Sequence, residues 1–314
     1  MGERGKSRHE ITIVTAFFNI GRESWGNFAR DNKKYIEYFR FWARIQNKVI
    51  IYTDPGMADA IREVRKDFHR EDRTEIIVID DVTQFDLKVF QAMEKALAHP
   101  LAVKFRSMPN NPESHNAYYN YIMYMKSLLV QDAIRRGLAT GMVAWLDFGY
   151  NHGGQYYIRP EEFDFLWTTD MPDDKIHMFN INEIDDTPIF EIVRNMEVYI
   201  IGTLLLGNYI LWDEMVRLCR EAVLALAMCG FSDDDQTVNL MIYRKNPDLF
   251  ILHKVDNFIE SFGKTTEHKF TIAQQRILEH KLSKKYAKDA WKKKQYVCGI
   301  KWYGKYVIQK IMGK

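Results

Sequence analysis

Met142-Val-Ala-Trp-Leu-Asp-Phe-Gly-Tyr-Asn-His-Gly-Gly154 is the stretch from which the rest of the chain can be read. Its first five residues, Met142 to Leu146, are apolar without interruption, which predicts a short strand in a sheet covered on both faces. Polarity then arrives at once, as Asp147, Gly149, Asn151 and His152. In open α/β sheets, ligands bind outside the C-terminal ends of the strands, where such side chains would stand. The closing pair, Gly153 and Gly154, would let backbone approach a bulky ligand. A strand that simply ends in a glycine turn is the plainer reading of the same residues.

The surroundings favour an α/β sheet. Upstream, β-branched and aromatic residues at 10–18 predict a first strand, which runs into the turn Asn19-Ile-Gly-Arg22. Helical spacing of Tyr35, Tyr38, Phe39 and Trp42 predicts a helix over 33–45, its aromatic stripe turned to a core. Strands follow at 48–54 and 74–80, with a helix at 57–69 between them. Strand, helix, strand, helix, strand at this spacing is the pattern of a right-handed parallel unit. Residues 84–100 read as helical, 108–113 as a loop, and 116–136 as a long helix that delivers the chain into the quoted strand. Downstream, strands are expected at 175–181, 197–206 and 250–253, and helices at 212–228 and 237–245. The first strand has no G-x-G-x-x-G loop, which argues against a dinucleotide fold, and no Walker-A spacing is present.

At 314 residues and 46% hydrophobic, the chain can bury a large core. Charge is balanced overall at +2 but not in place: residues 281–314 hold eleven lysines and one acid, leaving a mildly acidic body and a strongly basic tail. Tyr286, Trp291, Tyr296, Trp302, Tyr303 and Tyr306 stand among those lysines, a mixture suited to an anionic membrane surface. The tail lacks arginine and resembles no base-reading module, so sequence-specific nucleic-acid binding is not expected. Three cysteines without ligand spacing predict no disulfide framework and a reducing compartment. The polar residues 1–8 carry no apolar core behind them, so no secretory signal is expected. The longest apolar run, residues 198–212, is broken and too short to span a bilayer. A cytoplasmic protein, peripheral on the inner face of a membrane, is the expectation.

Three polar clusters fall beside strand ends or helix starts: Asp147 with His152, Asp233-Asp234-Asp235-Gln236, and His253. Hard oxygen ligands with an imidazole suit Mn²⁺ or Mg²⁺ held together with substrate phosphates, so Asp147, His152 and His253 are candidate metal ligands. Capping by Ser232 or Asp233 would explain one or two of the clustered acids. The rest are candidates for a base or a hydroxyl-binding group.

Several segments together are similar to one family. Ile13-Val-Thr-Ala-Phe-Phe-Asn-Ile-Gly-Arg22, Tyr38-Phe-Arg-Phe-Trp-Ala-Arg-Ile-Gln-Asn-Lys48 with Tyr52-Thr-Asp54, and Trp145-Leu-Asp-Phe-Gly-Tyr-Asn-His-Gly-Gly154 resemble the bacterial HtrL/YibB (WlaTC/HtrL) family of glycosyltransferase-like proteins. The resemblance covers roughly residues 10–265. It implies a GT-A-like, Rossmann-type α/β fold with a mixed, mainly parallel sheet flanked by helices. The implied organisation is a domain over 1–265, with a nucleotide-sugar half at about 10–155 and an acceptor half at about 156–265, followed by a basic helical extension over 266–314. It further implies hexose transfer from a UDP-sugar to a lipopolysaccharide, capsule or lipid-linked glycan acceptor.

By the same resemblance, Asp147 takes the place of the first acid in the Asp-x-Asp metal motif, while Gly149 replaces the second. Thr15, Ala16, Phe17 and Phe18 would receive the nucleotide, with Thr53 and Asp54 on the neighbouring strand, and Arg22 and Lys126 would meet the diphosphate. An inverting reaction also needs a carboxylate base, for which Asp234 and Asp235 are the candidates. Gly202, Thr203, Asp233 and Gln236 would lie on the acceptor or sugar side. The same acids would also serve a metal-dependent phosphohydrolase or nucleotidyltransferase. A non-catalytic carbohydrate-binding protein with a degenerate site is the third reading.

Overall fold

The β-branched run near the start forms the central strand, β1 (His9–Phe17). The computed structural model describes residues 8–25, 30–273, 283–284, 287–288, 291 and 296–312. After β1 come α1 (Asn32–Trp42), β2 (Val49–Thr53), α2 (Ala58–Lys66), β3 (Thr74–Val78), α3 (Leu87–Leu97), the short helices α4 (Pro100–Lys104) and α5 (Pro112–His115), α6 (Ala117–Arg135) and β4 (Met142–Leu146). The chain continues through β5 (Thr168–Thr169), β6 (Ile176–Asn180), α7 (Ile189–Asn195), β7 (Ile200–Asn208), α8 (Trp212–Met228), α9 (Asp235–Lys245) and β8 (Phe250–Lys254) to α10 (Tyr296–Met312).

The sheet has the order β3-β2-β1-β4-β7-β6-β8, with β5 paired to β1 off that path. β3, β2, β1 and β4 are parallel, β7 runs against both of its neighbours, and β8 is parallel to β6. The fold is therefore the expected mixed, mainly parallel α/β sheet flanked by helices. One sheet passes through both expected halves, joined where β4 pairs with β7. Past the expected boundary at 265, Ile158 N donates to Thr271 O and Ala273 N to Tyr156 O, so the body extends to the end of that segment.

Period-two alternation sorts the strand residues onto two cores. Ile11, Ile13, Ile51, Met142, Ala144 and Leu146 face one side, where α1 supplies Phe39 and Trp42 and α2 supplies Ile61 and Val64. Val14, Ile50, Tyr52, Val143 and Trp145 face the other, under Tyr121, Leu128 and Leu129 of α6 and Met215 and Val223 of α8. Each such apolar side chain taken from water contributes about 1.5–3 kcal/mol. Burial on both faces is why β2 and β4 read as unbroken apolar runs. All three cysteines are free. Among the described residues no helix is long and apolar enough to cross a membrane. Residues 1–7 and Tyr286 of the tail lie outside the described residues.

Candidate functional site

A cavity of 550 Å³ opens at the C-terminal ends of β1 and β4. It lies beside the point where the strand order reverses, the usual ligand position in such sheets. Ala16, Phe17 and Phe18 from the end of β1 line it, as do Arg22, Lys126, Asp147, Gly149, His152, Thr203 and Gln236. Ten of the sequence-derived site residues thus meet in one place.

Alternation along β4 explains the floor. Trp145 and Asp147 point to the same face, and the indole Nε1–H donates to Asp147 Oδ1 at 2.8 Å. That face is covered by α6, whose Lys126 projects to the sheet end. Its ammonium lies 3.0 Å from Asp147 Oδ1 and 2.8 Å from Asp235 Oδ2, and it donates to Gly202 O at 3.0 Å. The carbonyl accepts a hydrogen bond, and the two carboxylates balance the ammonium as ion pairs. Burial alone would lower the Lys126 pKa, but Asp147 and Asp235 more than offset it, and the ammonium is held above its ordinary value. Gly202 makes the contact possible, because a Cβ there would lie 1.5 Å from Asp235 Oδ2. Exposure rises through the triad, from 7% for the Lys126 side chain to 10% for Asp235 and 31% for Asp147, so Asp147 is the carboxylate that meets the cavity.

The acidic segment is built around a different anchor. Arg106, fully buried, pairs with Asp233 Oδ1 at 3.1 Å and donates to the carbonyls of Val193 and Ser232. Thr237 Oγ1 donates to the second oxygen of Asp233 at 2.8 Å. Asp233 is therefore a strut, and breaking such a buried pair from one side costs about 3–5 kcal/mol. The helix cap is Asp234, which accepts from Gln236 N at 3.0 Å, and α9 starts at Asp235. This corrects the expected cap at Ser232 or Asp233 and the expected start at Thr237, because Arg106 already holds Asp233. Burial, then the charges of Asp235 and Asp233, push the Asp234 pKa well above its usual value. Asp235 is also raised by burial, with the Lys126 ammonium opposing. Asp233, Asp234 and Asp235 stand behind the cavity wall, and Gln236 is the member of the cluster on it.

The loop after β4 is left-handed for four residues running, Asn151, His152, Gly153 and Gly154, with φ of 62°, 45°, 71° and 109°. Asn151 fixes this course: its amide donates to Tyr157 O at 2.8 Å while its carbonyl accepts from the backbone N–H of Tyr156 and Tyr157. His152 thereby lies against the Tyr38 ring, 5.3 Å between centroids, at the cavity edge. Burial and the nearby Arg30 lower its pKa, so the ring is neutral near pH 7.

Of the remaining candidates, Thr15 is fully buried beneath the mouth. Thr53 Oγ1 donates to Phe17 O, and Asp54 Oδ2 accepts from Asn19 N. These residues brace the turn after β1 and do not line the cavity. Arg30, Tyr119 and residues 257–259 line it without having been singled out in the sequence, and Tyr35, expected on a core-facing stripe, lines it as well. Tyr35 could have been found as the acceptor of Arg22 only through the fold, since the two meet across a turn at 2.7 Å. Residues 257–259 arrive from beyond β8, tied down where Thr203 Oγ1 donates to Phe258 O.

The residues expected to hold a divalent metal are not brought together. His253 lies on β8, separated from β4 by β7 and β6, which at about 4.8 Å per strand is roughly 14 Å across the sheet. Its ring meets His177 instead, with nitrogens 2.9 Å apart. His152 Nδ1 is 3.4 Å from Gln155 Oε1. At Gly149, where a second acid would complete the motif, a Cβ would come within 3.3 Å of the Tyr35 ring. Among the described residues no group of three or more His, Cys, Asp or Glu is arranged to hold a metal ion. The donor set around Asp147 does not fit Mn²⁺ or Mg²⁺, and a cationic side chain already stands there.

Comparison with known proteins follows the sequence resemblance. The family model described as "Bacterial protein of unknown function (HtrL_YibB)" matches residues 9–263. Protein HtrL of Escherichia coli (strain K12) is 31% identical over 262 residues, spanning 78% of this chain and 88% of that protein. Among solved structures, apo mouse xyloside xylosyltransferase 1 is similar over 78% of this chain and 85% of its own, with a TM-score of 0.44 and 14% identity. PaToxG glycosyltransferase is similar over 77% of this chain and 70% of its own, with a TM-score of 0.34 and 12% identity. Neither structural likeness is close enough to bear on activity. The family match spans both halves of the sheet and the whole cavity, and on that match the chain belongs to the HtrL_YibB family of bacterial proteins of unknown function.

Proposed function

We propose that the chain is a glycosyltransferase that moves a hexose from a UDP-sugar to a bacterial surface-glycan acceptor. The observation that carries this reading is Asp147, the sole carboxylate among the described residues lining a cavity at the reversal point of the sheet. Such a cavity, within the usual range of about 300–1,000 Å³, suits a ligand with an apolar face and a few fixed polar groups. Phe17, stacked on Phe148 and tilted against Tyr35, offers an aromatic wall on the donor side. Arg22 and Arg30 supply forked cations at the rim, suited to a diphosphate.

In the reaction, the bond between the anomeric carbon and the diphosphate oxygen breaks, a bond to the acceptor oxygen forms, and the proton given up by the acceptor hydroxyl passes to the diphosphate oxygen that leaves with UDP. Charge grows on the departing diphosphate, and fixed cations in a site shielded from water lower that cost. Asp147 accepts a hydrogen bond from a donor hydroxyl and sets the sugar against the acceptor side, where Thr203 and Gln236 stand. A metal-dependent phosphohydrolase would need acids grouped around its ion, an arrangement absent among the described residues. The basic tail extends the reading: α10 would hold the enzyme at an anionic membrane, close to lipid-linked acceptors.

A thermal-shift screen against UDP-sugars, followed by assay of UDP and phosphate release, tests the proposal. A true donor at a hundred times its Kd stabilises the folded state by about 2.7 kcal/mol. Asp147→Asn keeps the shape and removes the charge, so turnover should drop at least about 100-fold with the fold intact. No stabilisation by any UDP-sugar, or full turnover in Asp147→Asn, would overturn it.

A further inference from the structure

Lys126 is an unusual residue to find where it is. An ammonium taken into a protein interior loses its hydration, and one carboxylate seldom compensates. Here two carboxylates and a carbonyl surround it at 2.8 to 3.0 Å, which are hydrogen-bond lengths for N–H donors. A Mg²⁺ ion would require oxygens at about 2.0–2.1 Å in near-octahedral array. Asp147, Asp235 and the Gly202 carbonyl are hard oxygen donors, the type such an ion takes, but they converge on the lysine nitrogen. Ion and ammonium cannot both occupy that point. The Trp145 ring, with its centroid 6.0 Å from the same nitrogen, adds a further wall suited to a cation.

The residues around the triad agree with a resident ammonium. Gly149 offers no second carboxylate, and the Tyr35 ring crowds the space where one would begin. Gly202 lacks the Cβ that would push Asp235 away from Lys126. Asp147 Oδ1 accepts from the Trp145 indole and pairs with the Lys126 ammonium, so its orientation is set by the protein alone.

We propose that the site carries its own cation. The Lys126 ammonium stands in the place of a divalent ion, and it acts as a positioning residue that ties one oxygen of Asp147 and leaves the other for a hydroxyl of the donor sugar. The donor hydroxyl and the donor diphosphate rest on the glycosyltransferase reading; the exclusion of the ion does not. Charge on the donor diphosphate is then met by arginine and not by metal.

The test is calorimetric titration of the full-length protein with Mn²⁺, alone and in the presence of UDP-glucose. Wild type should take up no ion at this site with a Kd tighter than about 1 mM, and EDTA should change UDP-glucose affinity by less than about twofold. Lys126→Met frees the three oxygens and should bind Mn²⁺ at least about tenfold more tightly than wild type, a gain lost again on adding Asp147→Asn. A purely structural lysine would give no such gain. If wild type takes up one Mn²⁺ that Asp147→Asn removes, or if folded Lys126→Met binds the ion no better than wild type, the proposal is overturned. Should Lys126→Met fail to fold, the wild-type and Asp147→Asn titrations decide the matter. The two readings fail separately: Mn²⁺ data as expected with no UDP-sugar binding would remove the transferase, whereas UDP-glucose binding that needs Mn²⁺ held by Asp147 would remove the built-in cation.

Discussion

His152 is held at φ 45° and ψ 42°, a left-handed conformation that a side chain with a Cβ resists. For an ordinary residue this costs about 1–2 kcal/mol. Glycine would adopt it freely, as the next two residues do. The strain persists because Asn151 over-determines the loop, and its result is an imidazole at the cavity edge against Tyr38. Two substitutions separate the cost from the use. His152→Gly relieves the backbone, whereas His152→Ala keeps the strain and loses the ring contact. His152→Gly should therefore be the more stable of the two by about 1 kcal/mol, read as a difference of about 2 °C in Tm. Turnover with a UDP-sugar should fall in both by about tenfold or more if the ring contacts substrate. Equal stability of the two variants would show that the loop can relax, and unchanged turnover in both would remove His152 from the site.

At the scale of elements, β6 and β8 meet through a pair of histidines that the mechanism does not use. The Pro172 carbonyl, 2.8 Å from His177 Nε2, can only accept, so neutral His177 carries its proton on Nε2 and its Nδ1 accepts from His253 Nε2–H. Burial, His177 and Lys264 bring the His253 pKa from 6.5 down to about 4, and burial lowers His177 as well. In the unfolded chain both rings take protons near their ordinary value, whereas the folded chain resists. The pair's stabilising contribution is thus complete above about pH 6.5 and is lost as pH falls towards 4. The buried acids of the α9 cap have raised pKa values and act in the opposite sense, so the histidines must be isolated by comparison. Denaturant unfolding at pH 7 and pH 5 should show a smaller loss of stability for a His177→Asn, His253→Gln double variant than for wild type; an equal loss would refute the assignment. This pair also marks the limit of what the sequence discloses. β1, β2 and β4 could be read directly, because burial on both faces leaves an apolar run, and the stretch from Met142 to Gly154 does place Asp147 at the mouth of the cavity. His253 could be placed on a strand, but not on which side of the sheet order, since β7 reverses and β6 intervenes. Arg106 and the Lys126–Asp235 pair join residues more than a hundred positions apart, and no local pattern announces such contacts.

For the whole molecule, charge is divided between body and tail. Residues 281–314 carry a net +10 while the preceding residues carry −8. Within that tail α10 leaves Val297, Ile300, Tyr303 and Ile308 exposed, and Lys301, Lys305 and Lys310 lie on the same helix. A folded helix that shows both apolar groups and lysines to water is suited to the headgroup region of an anionic bilayer, where each lysine near the surface contributes about 1 kcal/mol. Sedimentation with vesicles of phosphatidylcholine, with and without phosphatidylglycerol, checks this. The full chain should pellet with the anionic vesicles at low salt and be released as ionic strength rises, because the attraction is screened beyond a Debye length of about 10 Å at 0.1 M. Removal of 281–314 should abolish pelleting while leaving UDP-sugar binding in place, since no described residue of the cavity lies in the tail. Apolar insertion and lysine attraction can then be told apart. Val297→Ser with Ile300→Ser should weaken binding at every salt concentration, whereas Lys301→Gln with Lys305→Gln should mainly flatten its salt dependence. Unchanged pelleting after deletion of 281–314 would place membrane attachment, if any is seen, on the body of the protein.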